Sequence, residues 1–239
     1  MNYQFSIFNK YKNLITILSE KKDGSMRLFS SLTKKNVENR KRFLKKVKID
    51  SNLLVSAELV HEKKVKIVTK KTCGKIISGV DGLITTERDV FLSITTADCL
   101  PIFLYDFEKE IIGLIHGGWR SLAQGILLST IEKFYKLESK SQNILVGIGP
   151  SICQKHFEVK KDIFPFFNFF SSAISTKNKK IFLNLKEIAK IQLINLGLKE
   201  ENIEISSECT FCLSEKYFSF RREKPKIPQA MIAIFGQKN

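Results

Sequence analysis

The chain has 239 residues, of which 43% are hydrophobic, and a formal net charge of +16 from 40 Lys and Arg against 24 Asp and Glu. That length and apolar content exclude a disordered polymer and allow one buried core, and no apolar run approaches the roughly 18 residues of a membrane span. The charge does not by itself signal nucleic acid: basic pairs such as Lys34-Lys35, Lys63-Lys64 and Lys179-Lys180 are scattered, and lysine, the solvating base, outnumbers arginine.

Met1 to Glu20 shows no uninterrupted apolar h-region and no small-residue cleavage site, so a cytoplasmic protein is expected. Leu53 to Val60 and Val65 to Thr69 have strand character, and Val90 to Thr96 is β-branched and aromatic. Pro101 to Tyr105 and Ile111 to Ile115, separated by a polar stretch, predict a hairpin. Apolar residues at helical spacing predict one helix over Trp119 to Leu137, followed by a strand over Ile144 to Ile148 that stops at Gly149-Pro150. A helix over Leu185 to Leu198 and strands over Ile203 to Ile205 and Ala230 to Phe235 complete the series. Strands come in pairs between helices, which predicts an α+β layered sandwich with mixed sheets, a single domain over residues 1–239.

The five cysteines (Cys73, Cys99, Cys153, Cys209 and Cys212) are odd in number and scattered, so no disulfide framework is expected. Cys209 and Cys212 form a C-x-x-C without a second pair, which reads as chance placement between a strand and a loop. The chain has three histidines, His61, His116 and His156. If the hairpin turns about Phe107-Glu108, Cys99 faces His116 directly, close enough to share an ion or to form a thiolate–imidazolium pair. Gly117 and Gly118 then let the backbone turn sharply into the helix that carries Arg120. Free N–H groups and the helix dipole there would favour an anion.

Five motifs occur in order: Asp81-Gly82-Leu83-Ile84-Thr85; Thr95-Thr96-Ala97-Asp98-Cys99; His116-Gly117-Gly118-Trp119-Arg120; Gly149-Pro150-Ser151-Ile152 with Phe157-Glu158-Val159; and Cys209-Thr210 with Phe218-Ser219-Phe220-Arg221-Arg222. In these the chain resembles the YfiH-type family over about Gly24 to Phe235, a family described first as laccase-domain polyphenol oxidases and later as purine nucleoside phosphorylases with adenosine deaminase activity. The resemblance implies an α/β/β/α layered fold and a metal held by His61, Cys99 and His116. It also implies a substrate side that includes Asn39 and Arg40; Arg40, Arg120 and Arg221 are the candidates to hold phosphate or ribose, and their positions lead us to expect that they converge on the open side of the metal. His156 lies at a position the family leaves variable and is expected to be a surface or outer-shell residue outside the site. Ser121, Thr33 and Lys226-Ile227-Pro228 depart from the family pattern, and the loop before Asn39 is shortened.

Two imidazoles and a thiolate leave one coordination position open, which is the catalytic arrangement of zinc. Asp98, next to Cys99, is the expected group to orient water or relay a proton. The reading that follows is a zinc-dependent purine nucleoside phosphorylase with adenosine deaminase activity. Its substrates would be phosphate and a purine nucleoside: adenosine, inosine or methylthioadenosine. A multicopper laccase needs far more histidines than three, although copper could displace zinc adventitiously. Two other readings stand beside this one. In the first, Cys99 and His116 form an amidase dyad acting on peptidoglycan precursors; in the second, the protein is a basic nucleic-acid binder.

Overall fold

The computed structural model describes residues 3–28, 33–226 and 228–239. In chain order the principal elements are β1 (Leu14–Leu18), α1 (Lys34–Val47), β2 (Leu54–Ala57), β3 (Val65–Ile67), β4 (Ile76–Ile77), β5 (Gly82–Thr85), β6 (Phe91–Thr96), β7 (Leu100–Asp106) and β8 (Ile111–Gly117). They continue with α2 (Trp119–Ala123), α3 (Ile126–Lys136), β9 (Ile144–Ile148), β10 (Glu158–Val159), β11 (Ile174–Lys177), β12 (Lys180–Leu183), α4 (Leu185–Asn195), β13 (Ile203–Ile205), α5 (Phe220–Glu223) and β14 (Met231–Gln237).

Two mixed sheets carry the fold. One has the order β1-β14-β6-β2-β4 and the other β13-β9-β7-β8-β5-β3, while β10-β12-β11 forms a small third sheet. Strands buried on both faces explain the near-continuous apolar runs in the sequence. In β14, Ile232 and Ile234 join Phe43 and Leu44 of α1 in one cluster. The alternating residues Met231, Ala233 and Phe235 pack with Phe103, Tyr105, Ile112 and Leu114 of the second sheet. Ile102 and Leu104 of β7 point the other way, to Leu122, Ile126, Ile131 and Phe134 of α2 and α3 and to Ile188 of α4. The layers therefore run helix, sheet, sheet, helix, the α/β/β/α order that was expected.

Three features differ from the sequence reading. The expected helix over Trp119 to Leu137 is two helices, because Gly125 adopts φ +85° and breaks the run before Ile126. Helix α1 was hidden: its buried face consists of Asn36, Asn39, Arg40, Phe43 and Leu44, helical in spacing but largely polar. The hairpin register differs by two residues. Asp106 pairs with Ile111, and His116 faces Pro101 rather than Cys99. The cause is Asp106, whose Oδ1 accepts from the N–H groups of Glu108 (2.8 Å) and Lys109 (2.9 Å) and so widens the turn.

Candidate metal centre

The end of the inter-sheet layer holds the chemistry. His116 ends β8 on the face that carries Ile112 and Leu114, and Cys99 immediately precedes β7. The two-residue slip leaves Cys99 on the same face, diagonal to His116, because side chains alternate with period two. His61 comes from the loop that crosses from β2 in one sheet to β3 in the other. One ligand atom from each of His61, Cys99 and His116 lies within 4.8 Å of the others. The two imidazole rings meet edge to face, with centroids 4.9 Å apart. Gly118 is needed at this spot: a Cβ there would sit 3.1 Å from His61 Cδ2 and 3.3 Å from Cys99 Sγ.

Asp81, fully buried, organises the set. Its carboxylate accepts from the backbone N–H groups of Val60 (3.1 Å), His61 (2.9 Å) and Glu62 (2.9 Å). The same carboxylate contacts His116 Nδ1 at 3.0 Å, leaving Nε2 for the ligand side. Burial on its own would push the Asp81 carboxyl up, but His116 and the N–H groups of Glu62 and Val60 hold it below the ordinary value. The loop hydrogen bonds also sustain His61 at φ +61°, a backbone region that non-glycine residues rarely occupy. Asp81 was legible only as part of a motif, and its role in holding two ligands was missed.

The electrostatics favour a thiolate beside an imidazolium when no cation is bound. Burial opposes the charged form of Cys99, but the hydrogen bonds and charge of His116, with a smaller part from His61, bring the thiol down to about 6. Burial likewise opposes His116 in its charged form. The Cys99 thiolate and Asp81 override it and raise the imidazole to about 9.

The other expected site residues fall elsewhere. Asp98 adopts φ +85°. It accepts from the Thr210 hydroxyl (2.6 Å), the Ser219 hydroxyl (3.0 Å) and the Arg221 N–H (2.7 Å), and so ties together the loops that carry them. Arg40 lies on the α1 side of the first sheet, donating to Met26 O and Ser56 Oγ, and Asn39 beside it bonds Ser25 O. Burial lowers the Arg40 guanidinium to about 10. Arg221 donates to Glu158 O and lies over the Phe157 ring. Arg120 is exposed, its guanidinium 4.4 Å from the centroid of Trp119. Among the described residues no hydrogen bond joins the side chains of these three arginines to His61, Cys99 or His116; the Arg221 backbone N–H reaches Asp98, the neighbour of Cys99. Ser121 is fully buried in α2 with its hydroxyl unpartnered. Thr33 caps α1 by accepting from Asn36 N–H, and Ile227 lies outside the described residues.

His156, expected to be a surface or outer-shell residue, is half-buried and has its own partners. Its Nδ1 lies 3.3 Å from Cys153 Sγ and 3.4 Å from Cys212 Sγ, and with Cys209 these side chains form a second group of metal-ligating type.

Residues 32–235 match the family described as multi-copper polyphenol oxidoreductase laccase. The purine nucleoside phosphorylase YlmD of Bacillus subtilis (strain 168) is 29% identical over 215 residues, covering 84% of this chain and 77% of that protein. The adenosine deaminase RL5 of an unknown prokaryotic organism is 31% identical over 152 residues, covering 61% of this chain and 58% of that protein. The crystal structure of the Bacillus licheniformis hypothetical protein YfiH has the same fold, with a TM-score of 0.90 at 26% identity over 97% of this chain and 94% of that one.

Proposed function

The chain belongs to the multi-copper polyphenol oxidoreductase laccase family, the YfiH-type group, and we propose that it is a zinc-dependent purine nucleoside phosphorylase with adenosine deaminase activity. The observation that carries this reading is the convergence of His61, Cys99 and His116 within 4.8 Å, from three separate segments. The names of the relatives, a purine nucleoside phosphorylase and an adenosine deaminase, support the substrate class.

The donor set fits zinc. Two imidazoles and one thiolate are of borderline softness, three protein ligands leave a position free, and the carboxylate behind His116 is the usual outer partner of such a histidine. It does not fit multicopper chemistry, for which three histidines in the whole chain are too few. When bound, the metal supplies a Lewis acid that acidifies water toward neutral pH. The chain's own part is to hold the three ligands, to fix the tautomer of His116 through Asp81, and to offer Arg120 on the exposed side to phosphate. Adenosine, inosine and methylthioadenosine are the proposed nucleosides.

A second reading rests on the line Asp81–His116–Cys99, which resembles a hydrolase triad with a depressed thiol. Demetallation separates the two. The screen follows base release from nucleosides with and without phosphate, and ammonia release from adenosine, before and after chelation. On the metal reading, activity disappears on chelation and returns with zinc, and Cys99→Ala loses one metal together with activity. Full turnover by exhaustively demetallated protein, or a trappable thioester on Cys99, would overturn it in favour of the hydrolase.

A further inference from the structure

We propose that Cys153, His156, Cys209 and Cys212 form a second metal site, a closed structural zinc centre distinct from the one at Cys99. One ligand atom from each of the four lies within 4.8 Å of the others. In a tetrahedral zinc site with Zn–S near 2.3 Å, neighbouring sulfurs are about 3.8 Å apart, so the four side chains already stand at nearly the spacing that the ion requires. All three cysteines concerned are free thiols, with no disulfide competing for the sulfurs.

The fold brings the two halves together from far apart in sequence. Ser151, just after β9, and Cys209, just after β13, form a parallel bridge, and Thr210 N–H donates to Ser151 O at 3.2 Å. Each strand end then continues into a short turn with a second ligand three residues on: Cys153 with His156, and Cys209 with Cys212. A 3-10 turn over Gln154–His156 folds the imidazole back over Cys153. His156 stacks on Phe211, inside the C-x-x-C, with centroids 4.0 Å apart and planes at 14°. That stacking fixes the ring so that Nδ1 points at the sulfurs of Cys153 and Cys212.

The surroundings suit the charge of such a centre. Three thiolates and one zinc ion leave a net negative charge. The Cys153 N–H donates to Cys209 Sγ at 3.2 Å, an outer-shell bond of the kind that stabilises a ligating thiolate. The largely buried Lys186 ammonium is pinned to Ser206 O (2.6 Å) and Glu208 O (2.8 Å), close enough to feel the charges of Cys209 and Cys153. Four protein ligands leave no open position, which assigns a structural rather than a catalytic role. The role is visible in the next residue: Thr210 donates to Asp98, the neighbour of Cys99. The second centre therefore clamps the loop that braces the first.

The test reconstitutes the whole protein with excess zinc under reducing conditions, removes free metal, and measures zinc per chain. Two equivalents are expected. Cys212→Ser, which alters an exposed side chain, should lose one, and Cys99→Ser should independently lose the other. Because a variant can misfold, cobalt loading of the Cys99→Ser protein gives a second readout: an intense thiolate-to-cobalt charge-transfer band from three sulfurs should persist. A wild-type content of one that Cys212→Ser leaves unchanged would overturn the second site. So would absence of the cobalt band in Cys99→Ser protein. The two cysteine variants report the two centres separately, so failure here leaves the reading of the Cys99 site intact.

Discussion

Asp81 and Asp98 are both buried carboxylates near the candidate centre, and Asp81 is the one whose carboxylate meets a ligand imidazole. Asp98 is adjacent to Cys99, yet its oxygens are consumed by Thr210, Ser219 and Arg221. Asp81 is 18 positions away and touches His116 and the His61 loop directly. Asp81→Asn should therefore weaken zinc binding by roughly 10–100-fold, measured by competition with a chelator of known affinity; an unchanged affinity would remove Asp81 from the ligand support. The pair beside it makes a proton-counting prediction. Between about pH 6 and about pH 9 the metal-free pair holds one proton, on His116, because Cys99 is already ionised above 6 and His116 loses its proton only near 9. A metal needs neutral imidazole and thiolate, so in that window binding should release about one proton from this pair, with more released at lower pH and fewer above about pH 9. Calorimetry in buffers of different ionisation enthalpy counts it.

At the scale of elements, the hairpin shows what the sequence could and could not convey. Two apolar segments split by a polar stretch gave β7 and β8 correctly, but Asp106 capping its own turn decided the register, and no periodicity encodes that. The ligand pair survived the error because a slip of two preserves the face. Helix α1 was invisible for a different reason: Asn36, Asn39 and Arg40 occupy most of its inner face, which leaves only Phe43 and Leu44 as buried apolar residues, too few to mark it as a core helix. The second cluster was invisible because its halves lie 56 residues apart, and neither half is distinctive alone. Gly118 is the element-scale test. Its φ of −76° is ordinary for any residue, so Gly118→Ala should fold normally. Its new methyl would crowd His61 and Cys99, so zinc occupancy and activity should fall while the melting temperature of the demetallated protein stays the same. A fully loaded, active Gly118→Ala protein would show that the ligands have room to spare.

Across the whole molecule, the two sheets meet through aromatic packing. Phe103 of β7 lies 5.3 Å from Phe5 and 5.5 Å from Phe235 of β14, centroid to centroid, and is almost fully buried. Phe103→Ala should cost about 3–5 kcal/mol of stability, read as a lower denaturant midpoint, and a loss under 1 kcal/mol would mean that the inter-sheet layer can collapse around the void.

The Asp81 carboxylate has a consequence in time as well as in energy. Its four partners are satisfied without any cation, so His61 and His116 wait in place instead of being gathered by the metal. Capture should then be a simple encounter, its observed rate climbing in proportion to zinc concentration in stopped-flow traces with no plateau. Replacing Asp81 with asparagine would free the His61 loop, and an ordering step would then precede capture, setting a ceiling that added zinc cannot raise.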